Sequence, residues 1–161
     1  MRVLVLHGPN LNLLGRREPE VYGSLTLEEV NARIEEHARR LGVEVRFAQS
    51  NVEGELVDEI QGALGWADGI VLNPGGYTHT SVAIRDAVAA VGIPTVEVHL
   101  SNPGAREDFR RVDLVGGVCR GVIAGFGWRS YTLALEALRG ILEEARAQGP
   151  GERTTERGGS G

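Results

Sequence analysis

A tyrosine, two arginines and two histidines stand where side chains in this chain could act on a ligand. From Gly8 to Gly23 the sequence reads GPNLNLLGRREPEVYG, directly after the apolar run Val3 to Leu6. Pro9 and Asn10 stop that run and Gly15 permits a turn. Arg16, Arg17 and Tyr22 follow with little between them to bury. Loops of this length in compact domains are usually functional or disordered. Leu11, Leu13, Leu14 and Val21 supply apolar anchors that a disordered linker lacks. A tyrosine is a poor base at neutral pH because its ordinary pKa is roughly 10, but neighbouring guanidinium groups favour the phenolate. Lowering it by two units takes about 2.7 kcal/mol, within reach of one or two close arginines in a desolvated site. Arg17 is the nearest candidate. The same spacing also fits a tyrosine capping the core beside an arginine laid along the surface, and spacing does not choose between them.

His79 and His99 follow strand ends and add acid-base groups to that loop. His7 ends a strand and reads equally well as a hydrogen-bonded packing residue, while His37 lies in a charged helix face and reads as solvated surface. There is no HxxxH, HxH or cysteine cluster, so no metal is expected. GFGWRS, Gly125 to Ser130, resembles a dinucleotide loop only weakly: it lacks the third glycine and comes at the last strand. The chain has no GK pair for a Walker A loop, and Asn73 stands where a phospho-acceptor domain would carry aspartate. Acid-base chemistry on a small ligand remains. The competing reading is a non-catalytic module that binds a small anion or nucleotide.

These groups need a scaffold. Val3 to Leu6 reads as a strand covered on both faces. Thr26 and Glu29 form a capping box before Leu27, Val30, Ile34, Ala38 and Leu41, and Gly42 ends that helix. Val43 to Ala48 alternates with charged residues and predicts an edge strand. Ser50 and Glu53 suggest a second capping box, for a helix through Leu56, Ile60 and Leu64. Gly69 to Asn73 predicts a third strand. Val82, Ala83, Ala87 and Val91 predict a helix closed by Gly92, followed by strands at Thr95 to Leu100 and Val122 to Ala124. Tyr131, Leu135, Leu138 and Leu142 mark a last helix fading near Gly149. Alternating strands and helices specify an α/β fold, a flavodoxin-like doubly wound five-stranded parallel sheet in three α/β/α layers. Ligands bind such sheets beyond the strand carboxyl ends, so the loops after the first, third and fourth strands are expected to converge.

A length of 161 residues with 42% hydrophobic content predicts one domain, residues 1–147, and the polar stretch 148–161 predicts a disordered tail. A net charge of -5 argues against a nucleic-acid surface. The single cysteine, Cys119, fits a reducing cytoplasm and reads as a small buried hydrophobe. No apolar run reaches the roughly 20 residues needed to cross a bilayer, and no membrane role is expected.

GPNLNLLGRREPEVYG, LNPGGYTHTSVAIRDA and VEVHLSNPGAREDFR together resemble the type II 3-dehydroquinate dehydratases of the shikimate pathway, in order and over Met1 to about Ala145. The resemblance implies reversible dehydration of 3-dehydroquinate to 3-dehydroshikimate through an enolate, without metal or organic cofactor, in a homododecamer built as a tetramer of trimers. It implies Tyr22 as the base, Arg17 as the residue holding the phenolate, and Asn10 as the group that steadies the enolate oxygen through a water. His99 matches the acid that protonates the leaving hydroxyl, with Glu97 orienting it. Asn73, His79, Arg110 and the backbone amides of Leu100 and Ser101 match substrate-binding positions. Arg106 falls on the loop near that site, and Asp86 matches a group reaching a neighbouring subunit's site. His7 and Pro103-Gly104 depart from the family pattern, without removing any of these groups.

Overall fold

The chain runs β1 (Arg2–His7), a short helix α1 (Pro19–Tyr22), α2 (Leu27–Leu41), β2 (Glu44–Gln49), α3 (Glu53–Gly62), β3 (Gly69–Asn73), α4 (Val82–Val91), β4 (Thr95–His99), β5 (Gly121–Ala124) and α5 (Arg129–Ala147). This computed structural model describes residues 1–16 and 18–149. All five strands are parallel, in the order β2-β1-β3-β4-β5. That is the flavodoxin-like order, and its direction reverses between β1 and β3, where a crevice must open.

Period-two alternation along the strands builds two cores. Val3 and Val5 of β1, with Val71, Val96 and Val98, pack under Val30 and Ile34 of α2 and Tyr131, Leu135 and Leu138 of α5. Leu4 and Leu6, with Ile70 and Leu72, pack on the other face under Leu56 and Ile60 of α3 and Ile84 and Val88 of α4. Strands β3 and β4 are buried throughout, as parallel strands covered on both faces must be. Strand β2 alternates and lies at an edge, as expected.

The capping box at Thr26 and Glu29 is present in both directions, and Gly42 closes α2 in the left-handed conformation. Five local expectations need correction. Ser50 does not cap α3; it bonds Glu55 and accepts the Val52 N–H, so the helix starts at Glu53 with Val52 as its uncapped N-cap residue. Leu64 lies beyond that helix and is exposed. On α4 the buried face is Ile84, Ala87 and Val88, with Val82 turned to solvent. The stretch Gly8 to Gly23 contains the helical turn α1, and Leu13 does not anchor it, although Leu11 and Leu14 are buried. His37 is not merely solvated, because its Nε2 lies 2.9 Å from Glu136 Oε1 and ties α2 to α5.

The loops leaving β1 and β3 interlock. Gly8 N–H donates to the Asn73 carbonyl at 2.7 Å, and a Cβ at Gly8 would stand 2.6 Å from the Pro74 carbonyl carbon. Gly75, at φ 59°, faces Pro9 across the same seam, where an added Cβ would stand 3.1 Å from the Pro9 carbonyl oxygen. Residues 150–161, where a disordered tail was expected, lie outside the described residues.

Candidate active site

The carboxyl ends of β1, β3 and β4 open on a cavity of about 290 Å³, near the lower bound for small-molecule sites. Asn10 enters it from β1 in the left-handed region, φ 67°, which asparagine tolerates better than most residues. Its backbone N–H donates to Asn51 Oδ1 at 2.9 Å, and Gln49 Nε2 donates to the same oxygen at 3.2 Å. The end of β2 therefore fixes a strained residue at the end of β1.

Asn73 enters from β3 with both halves of its amide engaged. Its Nδ2 donates to the Tyr131 hydroxyl at 2.9 Å, and its Oδ1 accepts the Gly75 N–H at 3.1 Å. Behind it, the Tyr131 hydroxyl lies 2.8 Å from His7 Nδ1, and His7 Nε2 lies 2.7 Å from Asn31 Oδ1. An amide oxygen can only accept, so His7 Nε2 donates and Nδ1 accepts from the tyrosine. Burial pulls His7 down from 6.5 to about 4, against the Asn31 bond, and pushes the Tyr131 phenol well above its ordinary value. This network is neutral.

His99 enters from β4 with a carboxyl group behind it. Its Nε2 lies 2.6 Å from Glu97 Oε1, to which Thr78 Oγ1 also donates at 2.8 Å. Since that oxygen accepts, Nε2 carries the hydrogen and Nδ1 remains for other use. Glu97 is wholly buried. Burial pushes its carboxyl above the usual carboxylate range; the His99 bond and charge pull it back, and the Asp113 carboxyl adds to the rise.

The segment after β4 closes the cavity. Arg106 Nη1 donates to Ser101 Oγ at 3.2 Å, and its guanidinium carbon stands 5.1 Å from the centroid of the Tyr22 ring. A cation is thus held against the tyrosine. Arg110 Nε donates to Glu107 Oε2 at 2.6 Å, and His79 Nδ1 donates to the Val112 carbonyl at 2.6 Å, leaving Nε2 for the cavity. Tyr22, Asn10, Asn73, His79, His99, Leu100, Ser101, Arg106 and Arg110 all line the cavity, and Glu97 lies behind it. Asp86 does not: it is exposed on α4 beside Arg85. Arg17 falls outside the described residues.

Sequence reasoning passed over Thr78, Asn51, Asp113 and the hydroxyl of Tyr131. Thr78 sits inside the quoted motif and is legible there; the spacing of Tyr131 places it only on an apolar helix face. Among the described residues no group of three or more His, Cys, Asp or Glu side chains converges as a metal site, and no helix is long and apolar enough to cross a membrane.

A family model described as Dehydroquinase class II matches residues 1–139. This chain belongs to the class II dehydroquinase family. It is 55% identical over 154 residues to a 3-dehydroquinate dehydratase of Roseiflexus castenholzii, covering 95% of each chain. To that of Acaryochloris marina it is 59% identical, over 84% of this chain and 91% of the other. A crystal structure of type II dehydroquinase from Butyrivibrio crossotus superposes with a TM-score of 0.84 at 46% identity, covering 86% of this chain and 97% of that one. The corresponding structure from Propionibacterium acnes gives 0.83 at 41% identity, over 86% and 96%. Class II dehydroquinases are hydro-lyases, and the loops that carried the resemblance are those that build this cavity.

Proposed function

We propose that this chain dehydrates 3-dehydroquinate to 3-dehydroshikimate in the shikimate pathway, with residues 1–147 as one catalytic domain. The Tyr22 phenolate, held by Arg17 and faced by Arg106, takes a proton from the carbon beside the ketone. The electron pair moves onto the ketone oxygen, and Asn10 steadies that enolate through a water. When the enolate collapses, the carbon–oxygen bond to the hydroxyl breaks, and His99, oriented by Glu97, gives that oxygen a proton so that it leaves as water. Asn73, His79 and Arg110 hold the ring hydroxyls and carboxylate, and the amides of Leu100 and Ser101 cradle the carboxylate.

The observation that carries this reading is the meeting, in one cavity, of a tyrosine under a guanidinium and a histidine backed by a buried carboxyl. Those are the base and the acid that β-elimination next to a ketone requires. The finer assembly is a homododecamer, a tetramer of trimers, in which Asp86 reaches the pocket of a neighbouring subunit. Its exposure on α4, away from its own cavity, supports that role. The working compartment is the cytoplasm.

The test is the ultraviolet absorbance of the enone formed when purified protein meets 3-dehydroquinate after chelation of metals. Absorbance should rise, and no rise with assembled protein would defeat the reading. Tyr22→Phe should keep ligand affinity within about tenfold and lower turnover by roughly three orders of magnitude or more. Normal turnover would remove Tyr22 from the mechanism.

A further inference from the structure

Glu97 is used on one side only. Its Oε1 takes hydrogen bonds from Thr78 and His99, whereas Oε2 is buried with no hydrogen-bond donor against it. An orphaned oxygen on a buried carboxylate is costly, so such atoms call for an explanation. The atom beside it is another carboxyl oxygen. A Cβ built on Gly116 would stand 2.5 Å from Asp113 Oδ2 and 2.9 Å from Glu97 Oε2, so both oxygens crowd the same small space above that glycine. The Gly116 backbone is not in the left-handed region, so its conformation does not require glycine. The space taken by the two carboxyl groups does. Asp113 is held there by its other oxygen, Oδ1, which accepts the N–H groups of Val115 at 3.0 Å and Gly116 at 2.7 Å.

We propose that Glu97 and Asp113 form an acid pair holding one proton in common, and that Asp113 is thereby a positioning residue for His99. Two ionised carboxylates this close repel; one shared proton removes the repulsion and satisfies Oε2. The titratable groups that face the pair are few. His99 lies on β4, and the Cys119 thiol, pushed up to about 12 by burial and then by these two acids, is neutral. The strand neighbours of Glu97, Leu72 on β3 and Val122 on β5, bring no charge. A lone buried Glu97 would keep a proton for itself and present His99 with a neutral acid. Paired with Asp113, the two acids keep one negative charge behind the imidazole, which holds the proton that His99 gives to the leaving hydroxyl.

This inference rests on the role proposed for His99, but one of its readouts does not. Asp113→Asn retains the acceptor for Val115 and Gly116 and offers Oε2 an amide donor; Asp113→Ala offers neither. The infrared spectrum of the wild-type protein at neutral pH should contain a protonated-carboxyl C=O band that is absent from Asp113→Asn, whether or not the protein turns over. Absence of that difference overturns the shared proton. In kinetics, Asp113→Ala should lower kcat about tenfold or more with KM within about threefold, and move the alkaline limb of kcat to lower pH by about one unit. Asp113→Asn should keep kcat within about threefold and hold the limb in place. A purely structural aspartate would lower thermal stability on truncation without moving the limb. That result, or equal impairment of the two variants, overturns the positioning role. If the wild-type protein shows the band but no dehydration, the proposed function fails and the acid pair stands.

Discussion

Two buried histidines back the same cavity, and they differ in what stands behind each ring. His7 on β1 is fully enclosed between the Tyr131 hydroxyl and the Asn31 amide, and burial keeps it neutral. His99 on β4 keeps a slightly exposed edge on the cavity and has the Glu97 carboxyl behind it. The same imidazole is a girder in one place and, in the mechanism proposed above, an acid in the other. A neutral partner lets burial strip the His7 ring of its charge, whereas the His99 ring is hydrogen-bonded to a carboxyl.

The widest separation should come from truncation. His99→Ala is expected to lower kcat about a thousandfold, while His7→Leu lowers it less than about tenfold, both read by steady-state assay. Comparable losses would erase the distinction. Acid should then find His7 first. Its value in the fold, about 4, lies below its ordinary 6.5, so between those limits the unfolded chain binds more protons and stability rises with pH. That contribution is complete above 6.5 and falls by about 3 kcal/mol as pH drops through 4. Glu97, raised, works the other way: it stabilises at low pH and loses that contribution as pH rises. Denaturant midpoints measured from neutral pH down to about pH 4 should slope in wild type and flatten in His7→Leu. At neutral pH the same variant should lose about 2 kcal/mol, because the Tyr131 hydroxyl and Asn31 Oδ1 each lose a partner. Smallest is Glu97→Gln, which keeps an acceptor for His99 but not the charge. It should lower kcat about tenfold with KM little changed.

The scaffold was legible in the sequence because its signals are local. Thr26 with Glu29, Gly42, Gly92 and the branched runs at Val3 and Ile70 each state their element within a few residues. The error at α3 came where one local signal met another. Ser50 could have capped α3, but Glu55 and the Val52 N–H engaged its hydroxyl. The cavity residues could be placed together from the strand ends alone, since parallel topology gathers those loops. What could not be read is what holds them. Asn51 against Asn10, Tyr131 against Asn73 and Asp113 against Glu97 are pairings between segments distant in sequence, and no spacing encodes them.

The clasp between Gly8 and Pro74 sets where this pocket can be remodelled. Because main chain abuts main chain there, the wall carrying Asn10 and Asn73 behaves as a single rigid jaw, and any side chain added at Gly8 would dislodge both halves at once. The opposing wall, residues 101–111, is tied largely by side chains such as those of Ser101, Arg106 and Glu107. A redesign for a bulkier acid belongs on that second wall, where substitutions can change the shape of the opening without parting the loops that leave β1 and β3.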